Sequence, residues 1–166
     1  CDVAAHHQIL TEEALQGFDS NFKVKPPLRT TRDVTALLAG LKDGTIDAIV
    51  SQHTPHEIEF KEVEFEIASF GITGLQTVLP LAIEAGLSPE EIIMKLAFNP
   101  RKILNLPTPS FEEGETANLV LFDINEEWEL NNKSNKSKGS NSPFFNQVLK
   151  GKVLLACNNG QVFNNY

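Results

Sequence analysis

Two histidines and an amide follow directly on a short apolar run in Ile46-Asp47-Ala48-Ile49-Val50-Ser51-Gln52-His53-Thr54-Pro55-His56. Imidazoles ligate metals, carry protons and donate hydrogen bonds near neutral pH, a combination few other side chains offer. The run from Ile46 to Val50 has the length and β-branched content of a buried strand, and Pro55 stops ladder pairing beyond it. A buried parallel strand that delivers polar groups at its C-terminal end is how a β/α barrel builds an active site. The other two of the four histidines, His6 and His7, stand side by side at the end of a shorter run over 2–5. A packed or surface histidine looks the same in sequence, so these patterns name candidates without naming a reaction.

A third cluster is acidic. Glu57, Glu59, Glu62, Glu64 and Glu66 alternate loosely with Ile58, Phe60, Val63 and Phe65. Such a density of carboxylates is compatible with a cation site. The near-alternation with apolar residues favours an exposed loop or edge.

The elements that must carry these residues follow from periodicity and punctuation. Residues 11–29 contain Gly17 and Lys25-Pro26-Pro27, which forbid helix and predict a long loop of the kind that is often functional. Thr30 or Thr31 can cap a helix with Val34, Leu37, Leu38 and Leu41 on one face, and Gly44 suits its left-handed end. Helix followed at once by an apolar strand is half of an α/β repeat. Leu75 to Ala85 reads as helix with a kink or late start at Pro80. Ser88-Pro89-Glu90-Glu91 is a helix start with a capping box, and Asn99-Pro100 repeats the device for a shorter helix through Leu104. Composition shifts after Pro107-Thr108-Pro109. Strands are expected at 119–122, 153–156 and 161–163, with Asn159-Gly160 as the hairpin turn between the last two. The Asn-, Ser- and Lys-rich stretch 131–147 reads as a flexible loop. The division is thus an α/β part over 1–108 and a small β part over 109–166.

The bulk numbers are those of a soluble globular chain: 166 residues, 41% hydrophobic and 22% charged. A net charge of −8 argues against nucleic acid, whose phosphates need a concentrated basic surface. The one cluster of Lys133, Lys136 and Lys138 reads as a solvated loop. Cys1 and Cys157 have neither metal-ligand spacing nor disulfide density, which makes a reducing cytoplasm the expected location. No apolar stretch reaches the roughly 18 to 20 residues of a membrane span, and no membrane association or signal peptide is expected. The chain lacks an initiator Met and opens as if inside a strand, so a fragment, or one piece of a nicked polypeptide, is the expectation.

Taken in order, Ala4-Ala5-His6-His7, Pro26-Pro27-Leu28-Arg29, Asp43-Gly44-Thr45-Ile46-Asp47-Ala48-Ile49, His53-Thr54-Pro55-His56, Phe70-Gly71-Ile72-Thr73-Gly74-Leu75, Asn99-Pro100-Arg101-Lys102-Ile103-Leu104 and Ser142-Pro143-Phe144 resemble dihydroorotase. That family belongs to the amidohydrolase superfamily of metal-dependent hydrolases. The resemblance covers nearly all of this chain and only the C-terminal part of such an enzyme. It implies a TIM-type β/α barrel whose seventh and eighth strands are 2–5 and 46–50, with 117–163 adding strands to a small β-sandwich domain. It implies the reversible interconversion of dihydroorotate and N-carbamoyl-aspartate in pyrimidine biosynthesis. It also implies one or two zinc ions at the C-terminal mouth of the barrel, which lower the pKa of bound water.

Carried over residue by residue, the resemblance places Gln52 where the family has the Asp that binds metal and serves as general base. A neutral amide accepts no proton near pH 7 and is a poor zinc ligand beside a carboxylate. Lys25 stands where the family has a substrate-binding Asn. His56 matches the position that contacts the substrate carboxylate, and Phe70-Gly71 lies where a loop closes over the substrate. His6-His7 matches a pair that is not a metal ligand in the family. The remaining family ligands would precede Cys1, so this chain alone is expected to hold no metal ligand and no cofactor. A fortuitous zinc site among its four histidines is the alternative. The expected function is a dihydroorotase-like cyclic amidohydrolase with no turnover from this chain alone, or a non-catalytic homologue acting as a structural partner of aspartate carbamoyltransferase. A related cyclic amidohydrolase with another substrate is the third reading. Open strand edges imply the missing N-terminal half of the barrel, or a homo-oligomer, as partner.

Overall fold

The two short apolar runs lie side by side as parallel strands. β1 (Asp2–Ala4) pairs with β2 (Ala48–Val50) in the register Asp2↔Ala48, Val3↔Ile49 and Ala4↔Val50 in a computed structural model that describes residues 1–108 and 110–164. Both strands are shorter than the runs suggest. Ala5–Gln8 winds into a 3₁₀ turn instead of extending β1. Among the described residues neither strand has a further strand neighbour.

Between them, 11–29 is not the plain loop that its prolines suggest. Glu12–Gly17 and Ser20–Phe22 are 3₁₀ turns, the second capped by Asp19, whose carboxylate accepts from the Asn21 amide at 2.8 Å. α1 (Thr31–Asp43) starts with a capping box of Thr30 and Asp33 and ends at Gly44, in the left-handed region at φ +87°. Leu41 is buried, while Leu37 and Leu38 are partly buried against the core. Val3, Ile46, Ile49, Ile72, Leu81 and Ile92 form the centre of that core.

α2 (Val78–Glu84) starts late, after a 3₁₀ turn over Leu75–Thr77, so Pro80 falls in its first turn, where a missing N–H costs nothing. α3 (Pro89–Ile93) opens with the capping box of Ser88 and Glu91. The helix then does not stop and restart at Asn99-Pro100. It widens into a π-helical turn over Met94–Phe98 and continues as α4 (Asn99–Ile103). The wide turn takes up the misfit of a proline in mid-helix. It also aims two side chains at the start of β2: Lys95 Nζ donates to the Ile46 carbonyl at 2.5 Å, and Asn99 Nδ2 to the Asp47 carbonyl at 2.7 Å.

The C-terminal residues form an antiparallel sheet of β3 (Leu119–Glu129), β4 (Val148–Asn158) and β5 (Gln161–Asn164). β3 and β4 run well beyond the expected strands. Asp123, Asn125, Glu126 and Glu127 hide the strand signal, because the ladder slips between Asp123 and Glu127 and the acidic stretch is absorbed there. Trp128 donates its indole N–H to the Gly151 carbonyl at 2.8 Å. Leu130, Phe144 and Leu149 join the same core as the residues around β1 and β2.

Stretch 131–147 is not a flexible loop. Asn131 and Ser134 close side chain-to-backbone turns on one another, the Asn135 side-chain amide donates to the Gly139 carbonyl, and Asn141, Ser142 and Phe144 are buried. Asn and Ser hydrogen-bond neighbouring backbone readily, so this composition serves an ordered turn as well as a mobile one. Pro109 in the expected domain boundary, and Asn165 and Tyr166 at the end of the expected β part, lie outside the described residues.

Candidate functional site

A cavity of about 450 Å³ opens at the C-terminal ends of β1 and β2. Its wall includes His6, Lys25, Gln52, His53, Phe70 and Gly71. Four of the five residues singled out in the sequence, Lys25, Gln52, Phe70 and Gly71, therefore come together. His56 stands apart: it borders a second cavity of about 380 Å³ with Lys61 and Asn141, and its Nε2–H donates to the Phe70 carbonyl at 2.9 Å.

Gln52 follows β2 directly and has φ +43°, a left-handed conformation uncommon outside glycine and asparagine. Such backbone outliers cluster at ligand sites. The Gln52 carbonyl accepts from Thr54 Oγ1 at 3.1 Å. His53 Nδ1 accepts from the backbone amides of Gly74 and Leu75, both at 3.2 Å. That nitrogen is the acceptor, so the ring proton sits on Nε2. Lys25 reaches the site because His7 holds the segment that carries it, its Nε2–H donating to the Pro26 carbonyl at 3.1 Å. Burial holds the His7 pKa below the usual imidazole value, with the Pro26 and Pro27 carbonyls acting in the opposite direction.

His6 is the buried end of the cavity. It is 1% exposed, and neither ring nitrogen has a hydrogen-bond partner. Burial, with a smaller contribution from the His7 charge, brings its pKa down to about 3, so the ring is neutral at pH 7. The amide of Gln8 is likewise buried and unpartnered.

The opposite wall is tightly made. His53 bridges Ile72 in parallel, and the Thr54 amide donates to the Ile72 carbonyl at 2.8 Å. Gly71 has φ +116°, and a Cβ there would lie 2.6 Å from Thr54 Cβ, so only glycine fits. Asn141 ties the pieces together. Its Nδ2 donates to the Thr54 and Gly71 carbonyls, its Oδ1 accepts the His56 amide at 2.9 Å, and its carbonyl accepts the Thr73 amide. Sequence reasoning missed Asn141 because it lies in the stretch taken for a flexible loop. The family segment Ser142-Pro143-Phe144, one residue on, was the available signal.

The carboxylates of Glu57–Glu66 are exposed, as expected of a surface loop, but Lys61 among them is buried. Among the described residues, no group of three His, Cys, Asp or Glu side chains is placed to hold a metal ion. The polar side chains around the cavity do not fit a zinc site: Gln52 is neutral, Lys25 is a cation, His53 Nδ1 is committed to two amides, and the unpaired imidazole of His6 has no two further His, Cys, Asp or Glu ligands grouped with it among the described residues.

No family model matches the chain. The chain is 44% identical over 156 residues to the dihydroorotase of Ruminiclostridium cellulolyticum, an alignment spanning 91% of this chain and 36% of that protein. It is 38% identical to the dihydroorotase of Ehrlichia canis, over 97% of this chain and 37% of the other. The chain belongs to the dihydroorotase family. It spans well under half the length of these dihydroorotases. Among solved structures, the L-hydantoinase of Arthrobacter aurescens matches 99% of the chain with a TM-score of 0.88 and 25% identity, over 39% of its own length. An inactive dihydroorotase-like domain of the Chaetomium thermophilum CAD-like multifunctional protein matches 98% of it, over 42% of that chain, with a TM-score of 0.66 and 23% identity. The fold is that of part of an amidohydrolase β/α barrel with appended β-strands, consistent with the C-terminal portion. Among the described residues, no helix is long and apolar enough to cross a membrane.

Proposed function

We propose that the dihydroorotase-like cavity binds dihydroorotate or N-carbamoyl-aspartate and that this chain alone turns over neither. The observation that carries this is Gln52 on the cavity wall at the end of β2. Hydrolysis of a cyclic amide needs a group that takes a proton from water, and an amide side chain has no such capacity near pH 7. Gln52 still donates and accepts hydrogen bonds, which suits recognition of an amide or a carboxylate. Lys25 adds an ammonium with no ion-pair partner among the described residues, and both ligands carry a carboxylate for it.

In this reading β1 and β2 complete their ladders with further strands of a longer polypeptide or of a second copy, since two parallel strands cannot close a barrel. Zinc, a family expectation, would need ligands from those strands, and the setting would be cytoplasmic pyrimidine synthesis. The test is dihydroorotate hydrolysis by the full-length protein, with and without Gln52→Asp, alongside calorimetric titration with dihydroorotate. The expected result is binding without turnover in the wild type. Wild-type turnover comparable to the Asp variant would overturn the reading.

A second reading, a non-catalytic structural partner of aspartate carbamoyltransferase, draws on the same Gln52. It gains from the fold likeness to a domain described as inactive. Co-elution of the full-length protein with aspartate carbamoyltransferase supports it, and independent elution at micromolar concentration defeats it.

A further inference from the structure

We propose that Lys23 and Lys61 are positioning residues that pin the 65–71 segment and so hold Phe70 and Gly71 as a fixed wall of the ligand cavity. Both lysines are buried, at 7% and 4% exposure, and neither has a carboxylate partner among the described residues. A buried ammonium is costly unless its protons are taken up. Here backbone carbonyls of a single segment take them. Lys23 Nζ donates to the carbonyls of Phe65 at 2.7 Å and Glu66 at 2.8 Å. Lys61 Nζ donates to the carbonyls of Ser69 at 2.8 Å and Gly71 at 3.1 Å. His56 takes the carbonyl between them, that of Phe70. Five carbonyls of one segment are thereby held by three side chains from outside it.

The aromatic side of the segment is fixed by the same cation. Lys23 Nζ lies 4.6 Å from the centroid of the Phe70 ring and 5.4 Å from that of Phe65, within cation–π range. Phe70 lines the cavity although it is half-exposed, so its ring direction is set by Lys23 and not by enclosure. The Lys23 backbone carbonyl also accepts the Gly71 amide at 2.9 Å. Lys23, Asp19, Glu62 and His56 are the charged or titratable groups around Lys61. Burial, reinforced by the Lys23 charge and opposed by Asp19, lowers the Lys61 pKa to about 8, so the ammonium remains the main form at neutral pH.

The consequence for recognition rests on the proposed ligand, but the pinning does not. Lys23→Met and Lys61→Met in the full-length protein separate the two. Hydrogen exchange of a peptide covering 65–72 is expected to quicken by about tenfold in each variant, the scale of a lost charge-assisted hydrogen bond, with the α2 peptide unchanged. Dihydroorotate, titrated calorimetrically, is expected to bind about tenfold more weakly. In Lys61→Ala, added n-propylammonium is expected to restore exchange protection where 1-propanol does not, which a purely space-filling role would not produce.

Unchanged exchange over 65–72 in both Met variants overturns the pinning. So does equal quickening in α2, which makes these residues general stabilisers. Faster exchange with an unaltered dihydroorotate affinity overturns the link between the wall and the ligand. Failure of the wild type to bind dihydroorotate defeats the functional reading, while the exchange result still decides the pinning. Should Lys61→Met not fold, Lys23→Met and Lys61→Gln carry the same comparison.

Discussion

The two sides of the cavity are built on opposite terms. Along 53–56, 69–74 and 141 nearly every polar group that turns inward meets a partner: the Asn141 side chain serves three backbone groups, and Lys23 and Lys61 take up four carbonyls. At the end of β1 the reverse holds, since His6 and Gln8 are buried with four polar atoms unpaired. Buried polar groups in folded proteins are almost always satisfied. One wall is therefore tied together by hydrogen bonds within this chain, while beside the other the ring nitrogens of His6 and the side-chain amide of Gln8 meet no partner among the described residues.

The largest expected effect probes the unpartnered side. His6 has a native pKa near 3 against an unfolded value of 6.5, so the unfolded state binds the proton first and stability falls as pH drops through that window. The loss reaches on the order of 4 kcal/mol by pH 3 when nothing offsets it. Urea unfolding at pH 7 and at successively lower pH measures it, and His6→Phe is expected to flatten the slope. A slope that His6→Phe leaves intact would mean that another group, or a partner to His6, governs acid sensitivity.

On the satisfied side, Gly71→Ala is expected to cost about 3 kcal/mol, combining a disfavoured φ with a clash against Thr54. Asn141→Ala strips partners from the Thr54 carbonyl and the His56 amide and is expected to cost about 2 kcal/mol. Both are read from urea midpoints at pH 7. A cost below half a kcal/mol for Asn141→Ala would make the two sides more alike than their hydrogen bonds suggest. Ser88→Ala, which touches neither side, sets the scale of an ordinary helix cap at about 1 kcal/mol. Thermal unfolding suffices to check it.

Local signals in the sequence were legible wherever the chain itself supplies the partner. Ser88 with Glu91 forms the expected capping box, Thr30 is the cap of the two threonines offered, with Asp33 completing a box there as well, and Gly44 takes the left-handed turn. The convergence of Lys25, Gln52, Phe70 and Gly71 was legible only through the family resemblance, because these positions lie far apart in the chain. The ordered state of 131–147 was not legible. Asn, Ser and Lys are typical of mobile segments, and what orders this one is Asn141 reaching residues some seventy to ninety positions earlier. The π-helical turn before Asn99 was hidden likewise, since Asn-Pro signals a helix start and only the carbonyls of Ile46 and Asp47 reveal why the helix continues.

By itself the sequence determined that a neutral amide follows the second parallel strand, that the helices start where their caps stand, and that the family is dihydroorotase-like. These depend on residue type and short-range hydrogen bonding, which neighbours in sequence decide. Only the tertiary structure decided that His56 holds the Phe70 carbonyl, that Lys23 and Lys61 turn inward, and that His6 is buried without a hydrogen-bond partner. Those outcomes depend on which distant carbonyl or cavity a side chain meets once the chain has folded, and no local pattern encodes that meeting.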